Sequence, residues 1–379
     1  MKSAKRVVVL GSGRVGKAIA VDLSQQHAVA VVDTDHGALD QLKDARVEVV
    51  NEDATKSGVL AGLLGGADLV INALPGHLGF GVLKSIVELG KAAVDISFFP
   101  EDPFELDGIA SGSAVPAVVD CGVAPGLSNM ILGSHYRQMQ VDGFACYVGG
   151  LPMVRTWPYQ YRAPFSPIDV IEEYTRPARL VETGEVVVKD ALSELEYLEF
   201  DGIGTLEAFN TDGLRTLLKT VRIPNMKEKT LRYPGHSEYM RVLRESGFFD
   251  KEPLDIGGKK IAPVEMTSRL LFRHWQAADD EDEYTVMRII VEGKEEGIAV
   301  RYTYGLLDRF DRLTGFSSMA RTTGFTCTAV ANLVLEGRLK NTGIVSPELV
   351  GMDPAGFACV RDYLKERNVH LAASREVLS

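Results

Sequence analysis

Short apolar runs and amphipathic stretches alternate along the first part of the chain. The first run, Arg6–Leu10, is rich in β-branched residues, which is typical of a strand buried on both faces of a sheet. Further runs of this kind are Ala28–Val32, Val47–Val50, Asp68–Ala73, Ala92–Ile96 and Val115–Val119. Apolar residues at helical spacing separate most of them. This alternation predicts parallel strands joined by right-handed crossovers, and therefore a doubly wound α/β sheet.

The pattern changes after about residue 123. Long strand-like segments such as Tyr284–Glu292 and Ile298–Tyr304 follow without regular crossovers, which predicts a second, α+β domain with a mixed or antiparallel sheet. Helical spacing returns between Phe325 and Val334, and Asp353-Pro354 is typical of a helix start. We predict one domain from residues 1–122 plus 320–379, with returning C-terminal helices, and a second from residues 123–319.

A glycine-rich motif connects the first strand to the helix that follows it. Gly11-Ser12-Gly13-Arg14-Val15-Gly16 has the GxGxxG spacing of a dinucleotide-binding Rossmann fold, and Asp33 ends the next strand about 20 residues further on. The first glycine would permit the tight turn, the second the approach of a pyrophosphate, and the third close packing of the helix. The alternative is a glycine-rich turn that binds no nucleotide.

Asp33 is the residue from which we predict the type of coenzyme. Its carboxylate would accept hydrogen bonds from the adenosine ribose hydroxyls and repel a 2′-phosphate, so the sequence favours NAD over NADP. Arg14 weakens this preference, because an arginine can contact a phosphate. Asp53-Ala54 after the third strand would meet the adenine, and Asn72-Ala73-Leu74-Pro75 after the fourth would lie near the nicotinamide ribose. Instead of contacting the coenzyme, Asp53 could cap a helix and Pro75 could simply form a turn.

Composition excludes several other classes of protein. With a net charge of −11, the chain lacks the basic balance of a nucleic-acid binder, and no apolar run is long enough to span a membrane. The chain has 4 cysteines without a CxxC pair and no leader-like start, so we expect a reducing, cytoplasmic compartment. Histidine and cysteine show no ligand spacing, so we expect no metal.

Five motifs between residues 120 and 345 resemble the saccharopine dehydrogenase-like family. They occur in the family's order across nearly the whole chain: Asp120–Asn129, Gly149–Pro152, Phe209–Gly213, Lys229–His236 and Asn341–Val345. The resemblance implies a homo-oligomeric oxidoreductase whose C-terminal helices return to the nucleotide domain. It is strongest to members that oxidise the side-chain amine of L-lysine with NAD, giving 2-aminoadipate 6-semialdehyde, ammonia and NADH.

Two other functions stay open at this point. The first is a reductase that condenses an amine with a carbonyl compound, as in saccharopine or carboxynorspermidine formation. Saccharopine-forming relatives usually have an acidic residue where this chain has Ala124, which weighs against that substrate. The second is a nucleotide-binding regulator that has lost catalysis, since a fold alone does not fix a function.

Oxidation of an amine requires a neutral nitrogen and produces a cationic iminium, so a nearby carboxylate is expected. Asp95 and Asp120 both end strands on the coenzyme side, and either could stabilise the iminium or anchor an amine. Asp95 alternatively caps the Ile96-Ser97 loop. Cys121 would contact the substrate or nicotinamide, although a buried, inert thiol is the simpler interpretation.

Three further residues are candidates for binding and proton transfer. His236 is a possible proton relay, or alternatively a residue that begins a helix. Arg215 and Arg232 are the candidates for binding a substrate carboxylate, although most arginines lie on surfaces.

Overall fold

The structure is a computed structural model that describes residues 4–43, 45–163, 167–278 and 280–378. The strands are β1 (Arg6–Leu10), β2 (Ala28–Asp33), β3 (Val47–Asn51), β4 (Leu69–Asn72), β5 (Ala93–Asp95), β6 (Pro116–Val118), β7 (Gln140–Pro152), β8 (Ala178–Glu182), β9 (Glu185–Lys189), β10 (Glu196–Phe200), β11 (Gly204–Asn210), β12 (Asn225–Arg232), β13 (Leu254–Ile256), β14 (Lys259–Ile261), β15 (Glu283–Glu295), β16 (Ile298–Arg309), β17 (Gly343–Val345) and β18 (Leu371–Val377).

The α-helices are α1 (Arg14–Leu23), α2 (His36–Asp40), α3 (Ser57–Leu64), α4 (Gly76–Glu88), α5 (Asp107–Gly112), α6 (Leu127–Tyr136), α7 (Pro167–Thr175), α8 (Leu217–Thr220), α9 (His236–Glu245), α10 (Pro263–Trp275), α11 (Ser318–Leu335), α12 (Pro347–Met352) and α13 (Pro354–Glu366). A 3₁₀ helix spans Pro103–Leu106.

The chain forms two compact units. The first consists of Met1–Gln138 and Met319–His370, and the second of Met139–Ser318 and Leu371–Ser379. Two differences from the sequence-based boundaries have clear causes. Helix α6 belongs to the first unit, so the boundary lies after residue 122, and β18 leaves the returning tail because it pairs with β16.

The first unit is built on a parallel sheet with the strand order β17-β6-β5-β4-β1-β2-β3. This confirms the doubly wound α/β sheet, and the six predicted strands are all present within a few residues of their predicted bounds. The strand that the pattern did not predict is β17, whose three residues extend the sheet beside β6. Strand order reverses between β1 and β4, and the carboxyl ends of strands at such a point form the ligand crevice of these folds.

The returning helices of the first unit are attached to α1 through one buried carboxylate. Asp22, which is 4% exposed, accepts hydrogen bonds from the hydroxyls of Thr328 on α11 (2.7 Å) and Tyr363 on α13 (2.8 Å). Its other oxygen accepts from the Arg367 Nε at 2.7 Å. These three partners leave the buried charge fully compensated.

The second unit contains a larger, mixed sheet with the strand order β10-β11-β12-β7-β15-β16-β18, to which β8 adds through β12 and β9 through β8. The β12–β7 pair is parallel and the other recorded pairs are antiparallel, which confirms the predicted mixed sheet. One apolar cluster includes Tyr161, Tyr174, Phe209, Met240 and Trp275. Another includes Tyr147, Leu206, Leu231, Tyr233 and Tyr284.

Candidate active site

The glycine loop after β1 is held by tight backbone packing. Gly11 has φ +101°, and a Cβ there would lie 2.6 Å from the Ala73 carbonyl oxygen. A Cβ on Gly16 would overlap the Gly11 carbonyl group. Because L side chains are strained or blocked at both positions, these two glycines are explained by the protein's own packing.

Gly13 differs from its two neighbours in the motif. Its φ of −60° suits any residue, and nothing lies within 4 Å of a Cβ built on it. It is the N-cap of α1, and no side chain accepts a hydrogen bond there. A ligand could therefore approach the backbone at Gly13, where the dipole of α1 favours an anion. This geometry fits the pyrophosphate of a dinucleotide, with Arg14 and Val15 beginning the helix beside it.

Asp33 at the end of β2 supports the glycine loop directly. Its Oδ2 accepts hydrogen bonds from the Ser12 amide (2.6 Å) and the Ser12 hydroxyl (2.8 Å). Its Oδ1 accepts from the Asp35 amide at 2.9 Å. A carboxylate offers about four acceptor positions, so Oδ1 can still receive a ribose hydroxyl. The loop and Asp33 together fit an adenine dinucleotide.

The other predicted coenzyme contacts lie at the ends of β3 and β4. Asp53 Oδ1 accepts hydrogen bonds from the Thr55 amide (3.0 Å) and hydroxyl (2.6 Å), and these contacts lower the pKa of Asp53. Ala54 is buried in the core of the unit. Pro75 precedes α4 as its N-cap, and Leu74 packs against the same core. The turn-forming role that the sequence left open for Asp53 is therefore visible in its contacts.

Asp95 lies at the end of β5 and is completely buried. Its Oδ2 accepts a hydrogen bond from Asn72 Nδ2 at 2.5 Å, and its Oδ1 accepts from the Ser97 amide (2.9 Å) and hydroxyl (2.8 Å). Asn72 Nδ2 also donates to the Gly79 carbonyl at 3.0 Å. Among the described residues, the Asn72 Oδ1 is buried without a hydrogen-bond partner. Asn72 and Ser97 thus fix the orientation of the Asp95 carboxyl group.

The electrostatic environment of Asp95 is unusual for a carboxyl group. Burial raises its pKa to about 7, against the lowering effect of the hydrogen bonds from Ser97 and Asn72, and the nearby Asp120 adds to the rise. Asp120 is 3% exposed and has a left-handed backbone with φ +51°. Non-glycine residues adopt this conformation at some cost, often at functional sites. The structure therefore brings the two predicted carboxyl groups close together.

The thiol next to these carboxyl groups is buried and disfavoured as a thiolate. Cys121 is fully buried, and burial together with Asp120 and Asp95 raises the pKa of its thiol. Burial likewise raises the pKa of Cys327 on α11, to which Cys121 and Asp95 contribute. Since the thiolate is the nucleophile, Cys121 is confined to a packing or contact role.

His236 in the second unit has protein partners on both ring nitrogens. Its Nδ1 lies 2.9 Å from the Tyr159 carbonyl oxygen, and its Nε2 lies 2.9 Å from the Tyr174 hydroxyl. Burial and the charge of Arg232 lower its pKa to about 3, so the ring is neutral. Glu207 accepts hydrogen bonds from the Gly235 and Ser237 amides at the start of α9. These contacts correspond to the helix-start alternative rather than to a proton relay.

Arg232 is also engaged within the second unit. Its Nη2 donates to Glu173 (2.7 Å) and to the Tyr161 hydroxyl (3.3 Å), and its guanidinium lies 4.4 Å from the centre of the Tyr161 ring. Nε lies 3.4 Å from the Tyr174 hydroxyl, and Nη1 donates to the Leu231 carbonyl. Arg215 is 6% exposed, has φ +45° and follows the Thr211–Gly213 turn. Of the two predicted arginines, Arg232 therefore has a structural set of contacts.

Sequence reasoning missed Glu228, a buried acid in the middle of β12. It is 6% exposed, and burial raises the pKa of its carboxyl group well above the usual range, with further contributions from Glu173 and Asp212. The signal was present in the alternation Glu228-x-Thr230-x-Arg232, because residues two apart on a strand share a face.

Comparisons with known proteins add a family and a fold. The family model described as "Saccharopine dehydrogenase NADP binding domain" matches residues 7–118, and "Saccharopine dehydrogenase C-terminal domain" matches residues 122–369. No helix within the described ranges has both the length and the apolar character needed to cross a bilayer.

The relatives are distant but cover much of the chain. Saccharopine dehydrogenase [NADP(+), L-glutamate-forming] of Saccharomyces cerevisiae is 22% identical, over 96% of this chain and 99% of its own length. Carboxyaminopropylagmatine dehydrogenase of Synechocystis is 22% identical, over 92% and 94%. The α-aminoadipic semialdehyde synthase of Arabidopsis thaliana is 27% identical over 64% of this chain. This chain spans only 25% of that protein and 46% of its Mus musculus counterpart.

One solved structure agrees over nearly the full length. The apo saccharopine dehydrogenase (L-Glu forming) from Saccharomyces cerevisiae has a TM-score of 0.79 with 19% identity, covering 98% of this chain and 100% of the other. At this identity the likeness shows a shared fold.

Proposed function

Because the chain belongs to the saccharopine dehydrogenase family, we propose that it oxidises the side-chain amine of L-lysine with NAD. The products would be 2-aminoadipate 6-semialdehyde, ammonia and NADH. Family membership supports an NAD(P)-dependent oxidoreductase that acts on amine or carbonyl substrates. The observation that supports amine oxidation is the pair of buried carboxyl groups, Asp95 and Asp120, at the carboxyl ends of the sheet.

The choice of NAD rests on Asp33. Its carboxylate ends β2 and braces the loop that would receive the pyrophosphate, so a 2′-phosphate would meet a negative charge there. The family model and the yeast relative are named for NADP, so this is a point on which the chain would differ from them. When bound, the nicotinamide coenzyme supplies the hydride acceptor.

The residues of the chain would divide the remaining chemistry. Asp95 would take the proton from the substrate ammonium on a carboxylate oxygen, since a pKa of about 7 suits a general base near neutral pH. Asp120 would face the positive charge that develops on the substrate nitrogen. Asn72 and Ser97 would hold Asp95 in position, while Cys121 and Cys327 keep its surroundings dry. Water then adds to the iminium and ammonia leaves.

The deciding experiment measures NADH formation with a panel of amines at a pH above neutrality, without any keto acid. Turnover of L-lysine alone supports the proposal. Asp120→Asn should then lower kcat more than it lowers NAD affinity, and equal losses would make Asp120 a structural residue. Asp33→Ala should weaken NAD binding and raise the use of NADP relative to NAD.

A second candidate is a reductase that condenses an amine with a carbonyl compound. The names of the yeast and Synechocystis relatives favour it, because both are dehydrogenases of substituted amino acids or amines. This function is supported if lysine gives no NADH while the reduced coenzyme is oxidised in the presence of 2-aminoadipate 6-semialdehyde and glutamate. Coenzyme binding without any turnover would instead select the regulator.

Two further expectations stay proposals. We propose a homo-oligomer, supported by exposed apolar residues on strands β9 and β10, where Val188 is 66% and Tyr197 is 61% exposed. Light scattering tests this, and a monomer at all concentrations would contradict it. A reducing, cytoplasmic compartment is supported by the 4 cysteines, which are all free thiols.

A further inference from the structure

We propose that Glu228 binds the α-ammonium group of an α-amino acid. This inference rests on the proposed function, because L-lysine, the proposed substrate, is itself an α-amino acid. It names a primary ammonium next to a carboxylate, the head group of an α-amino acid, as the ligand of this part of the second unit.

The first argument is the position of the Glu228 side chain. It lies in the middle of β12 and shares a strand face with Thr230, while the Thr211 amide donates to its backbone carbonyl from the neighbouring segment. A Cβ on Gly213 would overlap the Glu228 carboxyl group, so only glycine at this position admits the carboxyl. The Thr211–Gly213 turn is therefore shaped around this acid, and Arg215 follows two residues later.

The second argument is the lack of a strong partner. Within the described ranges, the Glu228 side chain has one recorded hydrogen bond, from the Thr211 hydroxyl at the limiting distance of 3.5 Å. Thr211 itself shares a closer hydrogen bond of 3.0 Å with Thr230. A buried carboxyl group with so little compensation is costly, and such groups are kept where they have a function.

The neighbouring acids show what compensation normally looks like in this unit. Asp212 accepts two hydrogen bonds from the Arg179 guanidinium, both at 2.8 Å. Glu173 pairs with Arg232 at 2.7 Å, and Glu207 accepts two backbone amides. Glu228 is the exception among these four buried or partly buried acids. A ligand cation would complete its environment as Arg179 completes that of Asp212.

The third argument is the local charge. Glu173 and Asp212 both act on Glu228 as like charges, and burial adds to their effect in raising its pKa. Arg232 and Arg179 are each paired with one of those acids. The hydroxyls of Thr211 and Thr230 lie beside Glu228, and by strand register Cys146 on β7 lies opposite it. An ammonium ion would therefore stabilise the ionised form of Glu228, and its binding would release a proton.

The test compares two ligands that differ only at the α-ammonium. L-Lysine carries the group and 6-aminohexanoic acid lacks it, while both have the carboxylate and the reacting amine. Calorimetry with the NADH-loaded protein, which cannot accept a hydride from lysine, should show tighter binding of L-lysine in the wild type. In Glu228→Gln that preference should fall by about tenfold to a hundredfold, since a charge-assisted hydrogen bond is lost.

The matched control is Glu238→Gln on α9, which removes the same charge from an exposed position. It should leave the preference for L-lysine unchanged. An unchanged preference in Glu228→Gln, with its Tm equal to that of the wild type, would overturn the proposal.

A second measurement needs no variant. Binding enthalpies in two buffers of different ionisation enthalpy, at about pH 6, report the protons released on binding. L-Lysine should release up to about one proton more than 6-aminohexanoic acid, because the reacting amine is common to both. Equal release would overturn the proposal even if Glu228→Gln does not fold. Binding is measured without turnover, so this test of Glu228 remains valid even if the protein does not oxidise lysine.

Discussion

The two units carry their buried acids in different ways. In the first unit, Asp33 and Asp95 end parallel strands, so each carboxyl group lies at the edge of the sheet where the loops begin. In the second unit, Glu228 lies within β12 and Glu207 within β11, on a face covered by packed side chains. An acid at a strand end is placed by topology alone. An acid on a strand face depends on partners from distant parts of the chain.

This contrast has consequences for substitution. In the first unit, we expect changes at the strand ends to alter coenzyme binding and turnover while the fold persists. In the second unit, we expect changes at the paired charges to act first on stability, because the partners are buried with them. The predictions below test that division.

The largest effect is expected at Arg232, in the second unit. Arg232→Met leaves the largely buried Glu173 without its cation, which should lower the free energy of unfolding by about 3–5 kcal/mol. Chemical denaturation measures this. Arg301→Met is the control, since Arg301 (40% exposed) pairs with Glu292 (39% exposed) at the surface and should cost clearly less. If Arg232→Met lowers the free energy of unfolding no more than the control does, Arg232 is again a candidate for binding the substrate.

Asp95→Asn should come next, with a loss in kcat of about 10²–10³-fold and unchanged NAD affinity. Because burial raises the pKa of Asp95 to about 7, the carboxylate needed as a base forms as the pH rises through that value. The wild-type rate should therefore rise with pH around 7, and this limb should vanish in the variant. Asp40→Asn serves as the control, because this carboxylate at the end of α2 is 60% exposed and has no proposed role. If the rate of Asp95→Asn still rises with pH around 7, Asp95 is not the general base.

A smaller effect, confined to the first unit, is expected at Gly13. Since nothing surrounds a Cβ at this position, Gly13→Ala should leave the Tm unchanged yet weaken NAD binding about tenfold, or about 1.4 kcal/mol. Gly16→Ala is the counterpart, because its Cβ overlaps the Gly11 carbonyl and should lower the Tm itself. Calorimetry and thermal melts separate the two. Full NAD affinity in Gly13→Ala would argue against a pyrophosphate at this loop.

The smallest effect is expected at Ser12. Ser12→Ala removes one of the hydrogen bonds to Asp33 and keeps the one from the backbone amide, so NAD binding should weaken by about 0.5–1.5 kcal/mol. Titration of NAD measures this. A loss as large as that of Asp33→Ala would mean that the carboxylate acts mainly by supporting the loop, and that its contact with the ribose matters little.

The sequence predicts the first unit well because its signals are local. Strand, glycine turn, helix and Asp33 lie within one short segment, and each has a recognisable pattern. The pattern did not indicate β17, since three residues carry too little periodicity, or β18, which has no buried face and therefore no buried apolar stripe. These strands are defined by pairing with β6 and β16 instead.

The site in the second unit was less predictable for a physical reason. The partners of His236 are Tyr159 and Tyr174, which lie more than 60 residues earlier in the chain, as the separations of 77 and 62 show. The sequence marked His236 and Arg232 as chemically capable residues, but only the fold shows that both have partners in the protein. Glu228 was overlooked because its signal, the alternation with Thr230 and Arg232 on one strand face, does not show that the carboxyl group is buried.

The attachment of Asp22 to Thr328, Tyr363 and Arg367 has an effect beyond stability. Helix α1 begins at the glycine loop and carries Asp22 near its other end, so the residues that steady this helix come from more than 300 positions later in the chain, at separations of 306, 341 and 345. Affinity for the dinucleotide is thus coupled to residues near the C-terminus of the chain. Truncation ahead of Tyr363 would remove two of the three partners of Asp22. It would thereby destabilise the start of α1 although the GxGxxG sequence itself is unchanged.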